Sequence, residues 1–304
     1  MLLPFAPVVS RLAPTPSGFL HLGNAVNFTL TWLLTRRAGG ILHLRIDDLD
    51  RARFRPVYLD NIFRTLDWLG LDYDYGPMGP DDFERNFSQQ HRLAEYEAVL
   101  QAAHAAHPHI FYACRCSRTE LARTAEPGGL YPGTCRAAGW AFYAPEIAWR
   151  AHVPPAATVA FHDLAQGVAE VNLAAELGDF VVRKKNGSAA YQVASIVDDV
   201  RLGVTLIVRG LDLLPSTAAQ VWLAPLLPGQ ASFTARQFLH HGLVLNEKGE
   251  KLSKSTQASQ QRGIMAEAAS PQVVYQAVAR LLGASPAAAT SLASLQEAVQ
   301  SADK

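Results

Sequence analysis

Apolar residues recur along this chain at two spacings, and their alternation outlines an α/β protein. Phe5-Ala-Pro-Val-Val-Ser is apolar enough for a buried parallel strand, and Val26, Leu30, Leu33 and Leu34 then repeat at helical spacing. Between them Arg11–Asn24, RLAPTPSGFLHLGN, holds two prolines and two glycines, so the stretch reads as strand, turn and helix. Gly40 to Ile46 reads as a second buried strand, followed at its carboxyl end by Asp47, Asp48 and Asp50. Val57 to Leu69 places Leu59, Ile62, Phe63, Leu66 and Leu69 on an amphipathic helix that stops at Gly70, with Trp68 in the core. Phe87 to His104 is predicted helical, with Leu93, Tyr96 and Leu100 on one face, which completes a βαβ half.

The second half is more broken. Ile147 to Val182 consists of short apolar runs interrupted by proline, glycine and charge, and Phe180 to Val193 reads as a β-hairpin about an Asn186-Gly187 turn. Gly203 to Gly210 is a strand ending in Arg209, Ser216 to Leu227 a crossover helix, and Phe238 to Leu245 a strand feeding a turn at Asn246–Gly249. Beyond the lysine-rich Lys251-Leu-Ser-Lys254-Ser255, the residues Val273, Val274, Ala277, Leu281 and Leu282 again keep helical spacing. The pattern predicts a Rossmann-type parallel sheet with crossover helices, in two halves at 1–100 and 186–256. A segment at 101–185 is inserted between them, and a helical segment at 257–304 follows.

Composition narrows the picture. With 304 residues, about half of them apolar, the chain can bury one large core and a smaller lobe. Lysine plus arginine equals aspartate plus glutamate at 27 each, so any RNA contact has to come from local patches such as Arg51, Arg53 and Arg55 or Arg183-Lys184-Lys185. The opening lacks a basic n-region and is interrupted by proline, and no apolar run reaches membrane-spanning length, so a cytoplasmic protein is expected. There is no P-loop and no GxGxxG string.

Candidate chemistry gathers at the strand ends. A helix that begins at the carboxyl end of a strand turns unpaired N–H groups towards the crevice above the sheet, where an anion can sit. His21 and Asn24 lie at such an entrance and could donate to phosphate oxygens, although His21 and Asn24 alone read first as an incidental surface histidine and an ordinary cap. Lys251 and Lys254 add flexible charges suited to a triphosphate. Asp47 can hold an ammonium group, and Arg209 can clamp a carboxylate or pair with Asp212, Asp198 or Asp199. His240 and His241 read as structural. All three cysteines, Cys114, Cys116 and Cys135, fall within about twenty residues, a spacing that invites zinc in a reducing compartment. Zinc takes four ligands in a structural site, and on generic grounds His104, His107 or His109 could supply the fourth.

Taken together, His21-Leu-Gly-Asn24 and Lys251-Leu-Ser-Lys254-Ser255 resemble the paired signatures of class I aminoacyl-tRNA synthetases. Arg11-Leu-Ala-Pro-Thr-Pro-Ser-Gly18 and Arg45-Ile-Asp-Asp-Leu-Asp50 narrow the resemblance to the glutamyl/glutaminyl branch, in an ordered match that runs to about Thr256. The resemblance implies that His21, Gly23, Asn24, Lys251 and Lys254 bind ATP with its Mg²⁺, and that His21, Asn24 and Lys254 are catalytic. It assigns Arg11, Thr15, Asp47, Tyr191 and Arg209 to L-glutamate. One position departs: glutamyl-type members carry Glu where this chain has Asp47, and glutaminyl-type members carry Asp. The CxC plus YxxxC arrangement resembles the zinc site of the short glutamyl-Q tRNA(Asp) synthetases, which implies a structural Zn²⁺ on Cys114, Cys116, Cys135 and Tyr131. That subfamily implies transfer of glutamate to queuosine of tRNA(Asp), no anticodon-binding domain and no obligate protein partner. Two other readings are a truncated synthetase acting on a tRNA 3′ end and a catalytically silent RNA-binding relative.

Overall fold

The structure is a computed structural model that describes residues 7–124, 129–242 and 263–302. Lys251, Lys254, the Asn246–Gly249 turn and the end of the strand expected to reach Leu245 lie outside the described residues.

The first strand, β1, is Val9–Leu12, so Arg11 belongs to the strand itself. The helix after it spans Leu22–Arg37, beginning where His21 in an extended conformation caps it. His21 Nδ1 accepts from Gly23 N at 3.1 Å and Asn24 Oδ1 accepts from His21 N at 3.1 Å, a reciprocal capping box that satisfies two of the helix's unpaired N–H groups. Ten of its residues, Ala25, Val26 and Phe28 to Thr35, are buried, so this helix runs through the core. The hydroxyls of Thr31 and Thr35 survive burial there because they donate to Asn27 O and Thr31 O. Arg36 and Arg37 close its carboxyl end, where the dipole favours cations.

β2, Ile41–Leu44, pairs in parallel with β1. Gly40 permits the approach: a Cβ there would sit 2.4 Å from Val8 O. β8, Leu206–Gly210, joins β1 through Thr205 N to Val9 O at 2.8 Å and Ser10 Oγ to Leu206 O at 2.8 Å, and pairs in parallel with β9, Gln237–His241. The carboxyl ends of β1, β2, β8 and β9 therefore open on one crevice.

Between the halves, β3 (Phe111–Cys114), β4 (Ala148–Ala151) and β7 (Phe180–Arg183) form an antiparallel sheet of their own. The hairpin of β5, Thr158–Asp163, and β6, Gly167–Asn172, goes elsewhere: β5 runs parallel to β9, so residues from the expected insertion extend the main sheet.

Two expected elements change. The Asn186-Gly187 turn stands, with Gly187 at φ +87°, but its second arm is a single bridge from Arg183 to Ala189. Tyr191–Arg201 is a helix, because Val193, Ala194, Ile196 and Val197 then bury on one side and a strand would have split them between two faces. The helix expected from Phe87 begins at Leu93, after a short turn capped by Ser88, and ends at Ala106. The helices Pro56–Trp68 and Gln272–Leu281 are amphipathic as read, and Trp68 is half-buried against the core. No helix among the described residues is long and apolar enough to cross a membrane.

Candidate active site

A cavity of about 380 Å³ opens at the carboxyl ends of the parallel strands. It brings together every described residue expected at the site: Arg11, Thr15 and Asp47, then His21, Gly23 and Asn24, then Tyr191 and Arg209. His241 also lines the wall, and Ile264 N donates to Leu20 O, just before the helix cap, at 2.8 Å.

The capping box decides the chemistry of His21. A backbone N–H can only donate, so Nδ1 must be the acceptor, and in the neutral ring the proton then sits on Nε2 as a hydrogen-bond donor. Burial holds the His21 pKa below its ordinary value, with Asp212 pulling the other way. Asn24 commits its Oδ1 to the cap and keeps its amide N–H groups. Two neutral donors are thus fixed at a helix N-terminus, an arrangement suited to oxygens that gain negative charge during a reaction. Gly23 admits the ring: a Cβ there would lie 3.1 Å from His21 Cε1.

The other wall is built of charge. Arg45 Nε and Nη2 hold both oxygens of Asp47 at 2.7 and 3.0 Å, and its Nη1 reaches Asp199 Oδ1 at 2.7 Å. Arg11 Nε meets that same Asp199 oxygen at 2.8 Å. Burial works to raise the Asp199 pKa, but Arg11 and Arg45 outweigh it and hold the carboxyl below its usual range. For Asp47 burial wins over Arg45, and its pKa is raised. The Asp47 carboxylate is therefore shared with Arg45, which reading the residues one at a time did not anticipate. Strand periodicity would have found it, since residues two apart in extended chain face the same way.

Arg209 forms none of the ion pairs offered to it in sequence. Its Nη1 donates to Thr217 Oγ1 at 2.9 Å and Gln220 Oε1 at 2.6 Å, and its buried Nη2 has no hydrogen-bond partner among the described residues. A buried guanidinium with an uncommitted donor suits an incoming carboxylate. His241 lines the same cavity although its sequence context read as structural.

The three cysteines converge on a second centre. Their sulfurs lie within 4.8 Å of one another, and Tyr131 Oη stands 3.5 Å from Cys114 Sγ and 3.6 Å from Cys116 Sγ. No histidine joins the cluster among the described residues, and His104 stacks 3.9 Å from Phe142 instead. The Arg150 guanidinium lies 3.8 Å from the Tyr131 ring centre and 3.4 Å from Cys114 Sγ. Burial pushes the Cys116 thiol up to about 11, whereas hydrogen bonds from Arg115 N and Tyr131 overcome burial at Cys135 and pull it down to about 7. Three soft thiols and a phenol at this spacing fit a tetrahedral zinc.

The sequence pattern of the family "tRNA synthetases class I (E and Q), catalytic domain" matches residues 7–131 and 136–304. The chain is 38% identical over 275 residues to a protein of Nitratidesulfovibrio vulgaris named glutamyl-Q tRNA(Asp) synthetase, covering 84% of this chain and 80% of that one. It is 38% identical over 295 residues to the protein of the same name from Pseudomonas entomophila, covering 95% and 92%. Among solved structures it resembles the glutamate-tRNA synthetase of Elizabethkingia anophelis at a TM-score of 0.75 and 23% identity, over 96% of this chain and 65% of that one. The chain thus spans less than two thirds of that solved synthetase.

The cap makes a titration prediction. Because the folded pKa is depressed, the stability that His21 contributes is present above the ordinary histidine value of about 6.5 and fades as pH falls through the folded pKa. The NMR ring signal of His21, assigned by its loss in His21→Asn, should titrate below that value. A midpoint at or above it would refute the capped neutral ring.

Proposed function

The chain belongs to the class I tRNA synthetases of the glutamate and glutamine branch, and from that premise we propose that it activates glutamate with ATP and transfers it to queuosine in the anticodon loop of tRNA(Asp). One observation carries the activation half: the Arg209 guanidinium, with a buried donor uncommitted, shares a cavity with the two donors held at the His21 cap. The acceptor rests on the names of the relatives.

In this reading the glutamate side chain and α-carboxylate are divided between Arg209 and Arg11, and Asp47 with Tyr191 receives the ammonium group. The α-carboxylate is already a nucleophile at neutral pH. Its oxygen attacks the α-phosphorus of ATP, the bond to the bridging oxygen breaks, and pyrophosphate leaves with that electron pair. Mg²⁺ arriving with ATP neutralises phosphate charge. His21 Nε2–H and the Asn24 amide donate to oxygens whose charge grows, and Lys251 and Lys254 supply the remaining positive charge from outside the described residues. The catalytic unit is then 1–100 with 186–256 together with the hairpin Thr158–Asn172 that extends its sheet, and the rest of 101–185 carries the metal centre.

The reading predicts ATP–pyrophosphate exchange with glutamate and without tRNA. Exchange with glutamine in place of glutamate would move the assignment to the glutaminyl side, where Asp47 already points. No exchange with glutamate, glutamine or aspartate would overturn activation altogether.

We also propose that Cys114, Cys116, Cys135 and Tyr131 hold a structural zinc that braces the long connection between β3 and β4. Cys135→Ser should then lower bound zinc well below one per chain while exchange persists at a reduced rate. Stoichiometric zinc in that variant, measured by elemental analysis, would exclude this ligand set.

A further inference from the structure

Arg209 is held by a line of buried side chains that do not themselves line the cavity. Its Nη1 donates to Thr217 Oγ1 at 2.9 Å, Thr217 Oγ1 lies 2.9 Å from His240 Nε2, and His240 Nδ1 lies 2.7 Å from Asp163 Oδ2. All four residues are buried, Thr217 and His240 completely.

With the His240 ring neutral, the donors and acceptors fit one way round. Asp163 accepts on Oδ1 from Ala165 N and Gln166 N at 2.9 Å each, and on Oδ2 from His240 N at 3.0 Å, so the carboxylate is an acceptor throughout. Those bonds with that of the His240 ring outweigh burial and keep its pKa low. His240 Nδ1 therefore carries the proton towards Asp163. In the neutral ring Nε2 then accepts from the Thr217 hydroxyl, whose oxygen is left to accept from Arg209. Gln166 Nε2 adds a bond to His240 O at 2.9 Å, tying the hairpin turn to the strand that bears the histidine.

Register explains why these residues meet. Arg209 and His240 are directly paired across β8 and β9, and Thr217 and Gln220 are three apart on the helix Leu214–Leu223 and so share a face. Asp163 comes from the last position of β5, the strand that adds to the sheet beside β9.

We propose that Thr217, His240 and Asp163 are positioning residues for the amino-acid substrate: they fix the Arg209 guanidinium so that Nη2 stays available for a substrate carboxylate. This inference rests on the assignment of Arg209 to glutamate made above. An arginine side chain loses considerable rotamer freedom when held, and a line of partners that sets it before substrate arrives removes that cost from binding. The device makes the carboxylate site depend on the hairpin Thr158–Asn172, which supplies the terminal anion.

The test is steady-state ATP–pyrophosphate exchange on the full chain with Thr217→Val, Thr217→Ser, His240→Asn and Arg209→Ala. Valine keeps the threonine volume and removes the hydroxyl, serine keeps the hydroxyl, and asparagine keeps a donor for Asp163 while falling short of Thr217. The expected pattern is a roughly tenfold higher KM for glutamate in Thr217→Val and His240→Asn, with kcat and the KM for ATP within about twofold, and near-native values in Thr217→Ser. If Thr217→Val does not fold, His240→Asn gives the same split. A native glutamate KM in both variants while Arg209→Ala raises it would sink the positioning role and leave the glutamate assignment standing. An unchanged glutamate KM in Arg209→Ala would sink both. Parallel rises for ATP and glutamate that serine fails to rescue would mean a purely structural part, and would equally overturn the proposal.

Discussion

The site depends on one buried constraint: Asp199 accepts from Arg11 and Arg45 on a single oxygen, and Arg45 in turn holds both oxygens of Asp47. These residues come from β1, the stretch just after β2 and the helix Tyr191–Arg201, so the two halves of the sheet are joined by charge beside the cavity. Removing one member of such a buried pair costs roughly 3–5 kcal/mol, because the partner is left uncompensated. The arrangement holds positive groups together in a cavity that would otherwise repel them, and it keeps Arg11 in place beside Arg209. A surface suited to a dicarboxylic amino acid is the result.

The opposite wall works by neutral dipoles. The His21 and Asn24 side chains complete the helix cap, so local folding and donor placement are one event. Charge on that wall would compete with the arginines for anionic substrate. Neutral donors instead leave the attraction of an anion to the helix end itself.

Much of this was legible in sequence because it is local. The strand–turn–helix around Arg11–Asn24, the buried parallel strands and the clustering of cysteines each follow from spacing over a few residues, and the structure gathers all described candidates into the cavity and the thiol cluster. What escaped is tertiary. Asn186-Gly187 is a sound hairpin signal, yet burial of Val193, Ile196 and Val197 on one helical face overrode it. The hairpin Thr158–Asn172 looked like part of an inserted lobe, and only the sheet reveals that it carries Asp163 to His240. His240 and His241, adjacent and alike in sequence, face opposite ways: one is locked in the buried line behind Arg209 and the other lines the cavity.

The most direct measurement is a crystal structure with a non-hydrolysable glutamyl-adenylate analogue in which a sulfamate replaces the phosphate. The account predicts a substrate carboxylate within hydrogen-bond distance of Arg209 and the sulfamate oxygens facing His21 Nε2 and the Asn24 amide, with the Arg45–Asp47 pair kept. An analogue bound with no contact to Arg209, or with the His21 ring turned out of its cap, would contradict it.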